Sequence, residues 1–179
     1  MLVHSDVMEG GSTALGSEIH LRECSLLLNK SQNVSVLIVD DEALIRWSLA
    51  ETLGDHGYGV LQAADGQGAV EALTGTSRPV DVIMLDYQLP DSNNLQLLAR
   101  IRAMSPRSRV VLMTAFGTPE IAAEALRLGA FCVVNKPIEM QEVADLVSRA
   151  HSSSPAWRGG RADHATIRIA GVFPQTTGE

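Results

Sequence analysis

The middle of this chain contains several unbroken apolar runs, each followed closely by polar residues. The first run covers residues 36–39 and leads directly into a group of acids. An apolar run without alternation is typical of a strand that is buried on both faces of a parallel sheet. Four such runs end at or near a polar side chain, and these side chains are Asp40, Asp86, Thr114 and Lys136.

Helical patterns lie between these runs, together with turn and capping residues. Parallel neighbouring strands need crossover connections, and helices supply them. The pattern therefore predicts an α/β fold with a doubly wound, five-stranded parallel sheet. The predicted strands are residues 35–39, 58–62, 81–86, 108–114 and 131–134. The predicted helices are residues 43–55, 66–73, 94–103, 119–128 and 139–150.

The regular pattern covers residues 34–150, which we interpret as one domain. Residues 1–33 are predicted to be a flexible N-terminal extension with one short amphipathic helix as an option at 17–28. A start codon placed too far upstream would give the same pattern. Residues 151–179 are predicted to be a disordered tail, because they are too short for a further packed domain.

Composition and charge narrow the classes of function. The net charge of −7 over 179 residues argues against a general nucleic-acid surface. No apolar run approaches the roughly 18 residues of a membrane span, and no secretory signal is seen. Two cysteines, Cys24 and Cys132, do not suggest a disulfide framework. We therefore expect a cytoplasmic protein without a membrane partner, with Cys132 as a small core residue.

The polar strand ends form a candidate reaction site, because ligands of open parallel sheets bind outside the carboxyl ends of the strands. Magnesium prefers oxygen ligands and is commonly held by one or two carboxylates, which Asp40, Asp41 and Asp86 could supply. An aspartate can also act as a nucleophile towards phosphorus. Lys136 could then neutralise phosphoryl charge and Thr114 could donate a hydrogen bond.

Four sequence motifs resemble those of a known family. V-L-I-V-D-D-E, I-M-L-D-Y-Q-L-P-D, V-L-M-T-A-F-G and N-K-P, in that order, resemble the receiver domain of bacterial two-component response regulators. The details look most like the receivers of nitrogen-regulator-type transcription activators. The resemblance covers residues 34–150 and implies a flavodoxin-like (βα)5 fold. It also implies a cis peptide bond between Lys136 and Pro137.

The resemblance implies a role for each site residue. Asp86 would be the phosphoacceptor, and Thr114 and Lys136 would contact the phosphoryl group. The ligands of Mg²⁺ would be Asp86, Asp41, Asp40 mostly through water, and the main-chain carbonyl of Gln88.

The resemblance also implies partners and an output. The phosphoryl group would come from a histidine kinase or a phosphotransfer protein, and the domain would not be an enzyme in its own right. Phosphorylation would shift a surface formed by the fourth helix, the fifth strand and the fifth helix. We expect output through contact with another protein, without a DNA-binding domain in this chain. A phosphorylation-dependent homodimer is one such contact.

Two positions depart from the family pattern. Asn94 stands where the family usually has glycine, and since Asn tolerates the left-handed conformation we expect the turn to be retained. Val133 stands where the family usually has a switching Tyr or Phe. We therefore expect normal phosphoryl chemistry with a damped or rerouted conformational response. Phe131 is predicted to lie in the core, and Phe116 to pack or face solvent beside the site.

Three alternatives remain at this stage. The chain could be an isolated receiver fragment of a longer transcription regulator, or a pseudo-receiver, for which Val133 is the sole support. It could also be a phosphatase of the haloacid-dehalogenase type, but the position for its general acid holds Gln88. Four other residues are not expected to take part in the site. Trp47 is predicted to pack its helix, His56 is not expected to be a ligand, and Glu42 and Asp91 are expected to be solvated.

Overall fold

A computed structural model describes residues 34–92 and 94–152. The predicted helix at 17–28 and the tail beyond residue 152 lie outside the described residues. The strands are β1 Ser35–Val39, β2 Gly59–Ala63, β3 Val82–Asp86, β4 Arg109–Thr114 and β5 Cys132–Asn135. The helices are α1 Ala43–Asp55, α2 Gly66–Gly75, α3 Asn94–Met104, α4 Pro119–Arg127 and α5 Met140–Ser152.

The five strands form one parallel sheet in the order β2-β1-β3-β4-β5. After β2 the chain returns to the other side of β1, where β3, β4 and β5 are added in turn. Flavodoxin-like sheets have the same change between β1 and β3, and their ligands bind at that point. Strand β1 pairs on both sides, so that Leu37 lies opposite Leu61 and Ile83. The predicted doubly wound α/β fold is confirmed. Element bounds differ by one or two residues, and α5 ends at Ser152 rather than at 150.

Both faces of the sheet are covered, because successive strand residues point to opposite sides. On one face Leu37, Leu85 and Leu112 pack with residues of α2, α3 and α4. On the other face Ile38 and Met84 pack with residues of α1 and α5. The unbroken apolar runs are therefore explained by burial on both sides of the sheet. Among the described residues, no helix is both long enough and apolar enough to cross a bilayer.

The α1 helix departs from the predicted packing. Leu49 and Leu53 are buried, whereas Leu44 is 78% exposed and Trp47 is 57% exposed. At 3.6 residues per turn, Leu44 and Trp47 lie roughly 140–160° around the helix from Leu49. The prediction that Trp47 serves helix packing is therefore wrong.

Candidate functional site

The predicted site residues meet at the carboxyl edge of the sheet. Asp40 follows β1, Asp86 ends β3 and Thr114 ends β4, and all three are buried, with exposed fractions of 0%, 4% and 1%. Carboxylate oxygens of Asp40, Asp41 and Asp86 lie within 4.8 Å of one another, and only Asp41 of these three residues is exposed to solvent. The strand-end side chains are therefore brought together as the parallel topology predicts.

Lys136 lies between two of these carboxylates. Its Nζ is 2.8 Å from Oδ2 of Asp40 and 2.8 Å from Oδ2 of Asp86. The Lys136 N–H donates to the Thr114 carbonyl at 2.8 Å, which holds the residue after β5 against β4, and the Lys136–Pro137 bond is cis as predicted. Burial opposes the charged ammonium, but the carboxylates of Asp40 and Asp86 together raise the pKa of Lys136 above its usual value. The ammonium is therefore charged at neutral pH.

The Asp40 carboxylate is only partly satisfied. Its Oδ1 accepts from the Glu42 N–H at 2.9 Å. Its Oδ2 forms the ion pair with Lys136 but has no hydrogen-bond partner of good geometry among the described residues. Burial raises the pKa of Asp40 and the Lys136 ammonium lowers it. The effect of burial is larger, so the pKa lies above its usual value. The two buried carboxylates share the single ammonium of Lys136, and buried negative charge that is only partly neutralised is costly, so this set of three acids fits a hard divalent cation.

Both oxygens of Asp86 are held in place. Oδ1 accepts from the Gln88 N–H at 3.0 Å and Oδ2 accepts from Lys136 at 2.8 Å. The Thr114 hydroxyl oxygen accepts from the Phe116 N–H at 3.2 Å, and a hydroxyl that accepts can still donate its own hydrogen. The arrangement places an oriented carboxylate against one ammonium, and the buried Thr114 hydroxyl stands at the end of the neighbouring strand β4. The role of the Gln88 carbonyl as a metal ligand stays a prediction.

Sequence reasoning missed one residue of the site. An Arg46 side-chain N–H donates to the main-chain carbonyl of Asp40 at 2.6 Å and so ties α1 to the acidic loop. The position of Arg46 in the first turns of the helix after Asp40 could have indicated this contact. The sequence alone, however, allows many other partners for an arginine at that position. Glu42 is exposed as predicted, yet its carboxylate lies 3.5 Å from Lys136 Nζ.

The predictions for Phe116 and Phe131 are confirmed, and the absence of a ligand role for His56 stays a prediction. Phe116 is 77% exposed, and Phe131 packs against the core on the α1 and α5 face. His56 contacts the Thr52 carbonyl through Nδ1 and belongs to no acidic cluster in the part of the chain described. Cys132 is half-buried against the same core, and burial raises the pKa of its thiol to about 11.

The two departures from the family pattern lie near the site. Val133 lies in β5 and pairs with Leu112 of β4. Its side chain is half-buried and packs against the core on the face covered by α2, α3 and α4. Tyr87, the residue after Asp86, packs against the same core. Helix α3 begins at Asn94 as predicted. Residue 93 lies outside the described residues, so the conformation of that turn stays a prediction.

Comparison with known proteins identifies relatives for most of the chain. A family model for the response regulator receiver domain matches residues 36–148. The chain is 35% identical to sporulation initiation phosphotransferase F of Bacillus subtilis over 117 residues, which are 65% of this chain and 93% of that protein. It is also 35% identical to the DNA-binding transcriptional regulator NtrC of Escherichia coli K12, but spans only 24% of that protein.

Solved structures agree with this assignment. Chemotaxis response regulator CheY4 of Vibrio cholerae superposes with a TM-score of 0.60 at 28% identity, covering 65% of this chain and 98% of that chain. A chain of the CheX-CheY-BeF3-Mg complex of Borrelia burgdorferi superposes with a TM-score of 0.63 at 26% identity, covering 67% and 90%. The match to the family model, these relatives and the site geometry agree, and the chain belongs to the response regulator receiver family.

Proposed function

We propose that this receiver domain accepts a phosphoryl group on Asp86 from a histidine kinase or a histidine phosphotransfer protein, with Mg²⁺ bound beside it. The observation that carries the proposal is the buried Asp86 carboxylate, which is oriented by Gln88 and Lys136 next to Asp40 and Asp41. In this proposal the domain comprises residues 34–150, and residues 1–33 and 151–179 are extensions.

The donor set of the site fits Mg²⁺. Asp41 would bind it directly, Asp40 mostly through water, and Asp86 and the Gln88 main-chain carbonyl would complete the protein ligands. When bound, the metal would neutralise charge on the phosphoryl oxygens. The buried carboxylates of Asp40 and Asp86 share one ammonium, which supports this assignment, because a bound cation would neutralise the remaining negative charge.

The chain's own residues supply the nucleophile and the remaining charge neutralisation. A carboxylate oxygen of Asp86 attacks the phosphorus of a phosphohistidine, a P–O bond forms, and the P–N bond breaks. The electron pair of the broken P–N bond stays on the imidazole nitrogen of the donor. Lys136 then transfers part of its interaction from the Asp86 carboxylate to the new phosphoryl oxygens, and the Thr114 hydroxyl donates to one of them.

The rival functions have less support. A haloacid-dehalogenase-type phosphatase needs an acid at the position of Gln88, and Gln88 instead orients Asp86 through its main chain. A pseudo-receiver would not need the complete set of charged residues found here. Because the chain spans only about a quarter of NtrC, output through protein contact alone and origin as part of a longer regulator are both open within this proposal.

A direct test is incubation of the purified chain with a small phosphodonor such as acetyl phosphate. We expect the mass to increase by one phosphoryl group when Mg²⁺ is present, and no increase when a chelator replaces it. Acid-stable modification would show that the acceptor is not a carboxylate.

The exposed start of α1 is proposed to receive the protein phosphodonor. Leu44 and Trp47 stand on one exposed helical face, and α1 begins three residues after Asp40, so this face borders the site. The exposed acids Asp41 and Glu42 precede this helical face. We therefore expect the docking surface of the donor protein to combine apolar and basic side chains. Buried aromatic anchors dominate interface energies, so Trp47→Ala is expected to lower kcat/KM for transfer from the donor protein about tenfold or more.

The control for this prediction is Met104→Ala. Met104 is also a large exposed apolar residue, but it ends α3 at the opposite edge of the sheet. It should leave transfer from the protein donor unchanged, and both variants should react normally with acetyl phosphate. Equal transfer rates for wild type and Trp47→Ala would rule out this docking surface.

The Val133 position predicts a weakened conformational response. A modification shifts an equilibrium only by its differential interaction with the two states, and the short, β-branched Val133 side chain cannot swing as an aromatic ring does. With beryllium fluoride and Mg²⁺, we expect large NMR shifts at Asp86 and Thr114 and small shifts along residues 120–133. A matched Val133→Tyr variant should enlarge the response of α4. Shifts of full size across α4 in the wild type would show that Val133 does not matter.

A further inference from the structure

The loop that follows β3 is bound to a distant helix by one carboxylate. Asp91 Oδ1 accepts from the Gly66 N–H and Oδ2 accepts from the Gln67 N–H, each at 2.9 Å. These are the first two residues of α2, 25 and 24 positions earlier in the chain. Asp91 therefore connects the segment after Asp86 to the N-terminus of α2.

This connection is specific rather than incidental. A Cβ at Gly66 would lie 3.2 Å from Asp91 Oδ1 and 3.0 Å from Leu97 Cδ2, so glycine at this position leaves room for the close approach of the Asp91 carboxylate. The hydrogen bond from Gly66 is the main cause that lowers the pKa of Asp91. The side chain of Asp65, the N-cap of α2, accepts from the Gly68 N–H at 2.7 Å. Asp91 thus satisfies two helix donors that Asp65 leaves free.

The loop is also held at its start. The Tyr87 N–H donates to the Met113 carbonyl at 2.7 Å, and the Gln88 N–H donates to Asp86. Leu89 is buried and pairs with Ser92 in an antiparallel bridge. Gln88 therefore lies between one attachment to β4 and a second attachment, through Asp91, to α2.

We propose that Asp91 is a positioning residue for the phosphoacceptor site, holding the Gln88 main chain where its carbonyl can bind Mg²⁺ and its N–H can orient Asp86. The inference rests on the proposed function. Asp91 itself is exposed and would act only through the loop. Its loss should therefore change metal affinity more than it changes the fold.

The test is calorimetric titration of Mg²⁺ into the full chain, comparing wild type with Asp91→Ala and Asp65→Ala. Partners of metal ligands typically contribute 10–100-fold to affinity, and because Asp91 acts indirectly we expect Asp91→Ala to weaken Mg²⁺ binding about threefold to tenfold. Asp65→Ala removes a hydrogen bond at the same helix end without touching the loop. It should lose stability but keep the wild-type Mg²⁺ affinity.

Hydrogen exchange without Mg²⁺ provides a second readout. Asp91→Ala should speed exchange of the Gly66, Gln67 and Gln88 amides, whereas Asp65→Ala should affect Gly68 and spare Gln88. If Asp91→Ala does not fold, Asp91→Asn retains one acceptor oxygen and should show an intermediate loss of affinity. Wild-type affinity in a folded Asp91 variant would overturn the inference. A wild type that binds no Mg²⁺ would overturn the proposed function itself, and this inference with it.

Discussion

Replacing Asp86 with Asn is expected to abolish phosphoryl transfer completely while the domain remains folded. The amide has nearly the same shape and can still accept the Gln88 N–H through its oxygen, but it cannot serve as the nucleophile. Asp40 is no substitute, because its carboxylate is fully buried and already engaged with Glu42 and Lys136. Intact-protein mass spectrometry after reaction with acetyl phosphate and Mg²⁺ measures the loss.

The matched control is Asp55→Asn. Asp55 is an exposed carboxylate at the end of α1, so its replacement should leave the extent of phosphorylation at the wild-type level. Circular dichroism of both variants should match that of the wild type. Phosphorylation of Asp86→Asn at the wild-type level would place the acceptor on another residue.

Replacing Lys136 with Met is expected to destabilise the metal-free domain strongly. Nζ forms ion pairs with Asp40 and Asp86, and all three side chains are at least 90% buried. Removing one partner of a buried ion pair leaves uncompensated charge and typically costs about 3–5 kcal/mol. Urea denaturation in the presence of a chelator measures the change in the free energy of unfolding.

Magnesium should restore part of the stability that Lys136→Met loses, because a bound cation neutralises the charge of the same two carboxylates. The phosphorylation rate should stay low even with Mg²⁺, since the ammonium also neutralises the transferred group. Arg100→Met is the matched control, because Arg100 is an exposed cation on α3 and such charges contribute little to stability. Equal stability of the two variants would contradict the proposed role of the ion pairs.

The fold and the centre of the site were predictable because their determinants are local. The unbroken runs at residues 36–39 and 82–85 reflect burial on both sheet faces. The parallel order then requires that the residues following these runs meet at one edge. Asp40, Asp86, Thr114 and Lys136 could therefore be grouped without knowledge of their distances. The structure brings Asp40, Asp86 and Lys136 into contact and buries Thr114 at the end of the neighbouring strand β4.

The features that could not be predicted depend on contacts between distant elements. Trp47 was expected to pack, but the face that α1 buries is decided by its docking on the sheet, through Leu49 and Leu53. Asp91 was expected to be solvated. It is exposed, yet it bonds main-chain groups about 25 residues away. Nothing in the local pattern specifies a main-chain partner of this kind.

The phosphorylated residue can be identified chemically. Borohydride reduces an aspartyl phosphate to homoserine, which peptide mass spectrometry can locate after the chain has reacted with a phosphodonor and Mg²⁺. We expect homoserine at position 86, the last residue of β3, and none in a sample treated with chelator. Homoserine at position 40 or 41, or a phosphorylated histidine with no homoserine, would contradict this expectation.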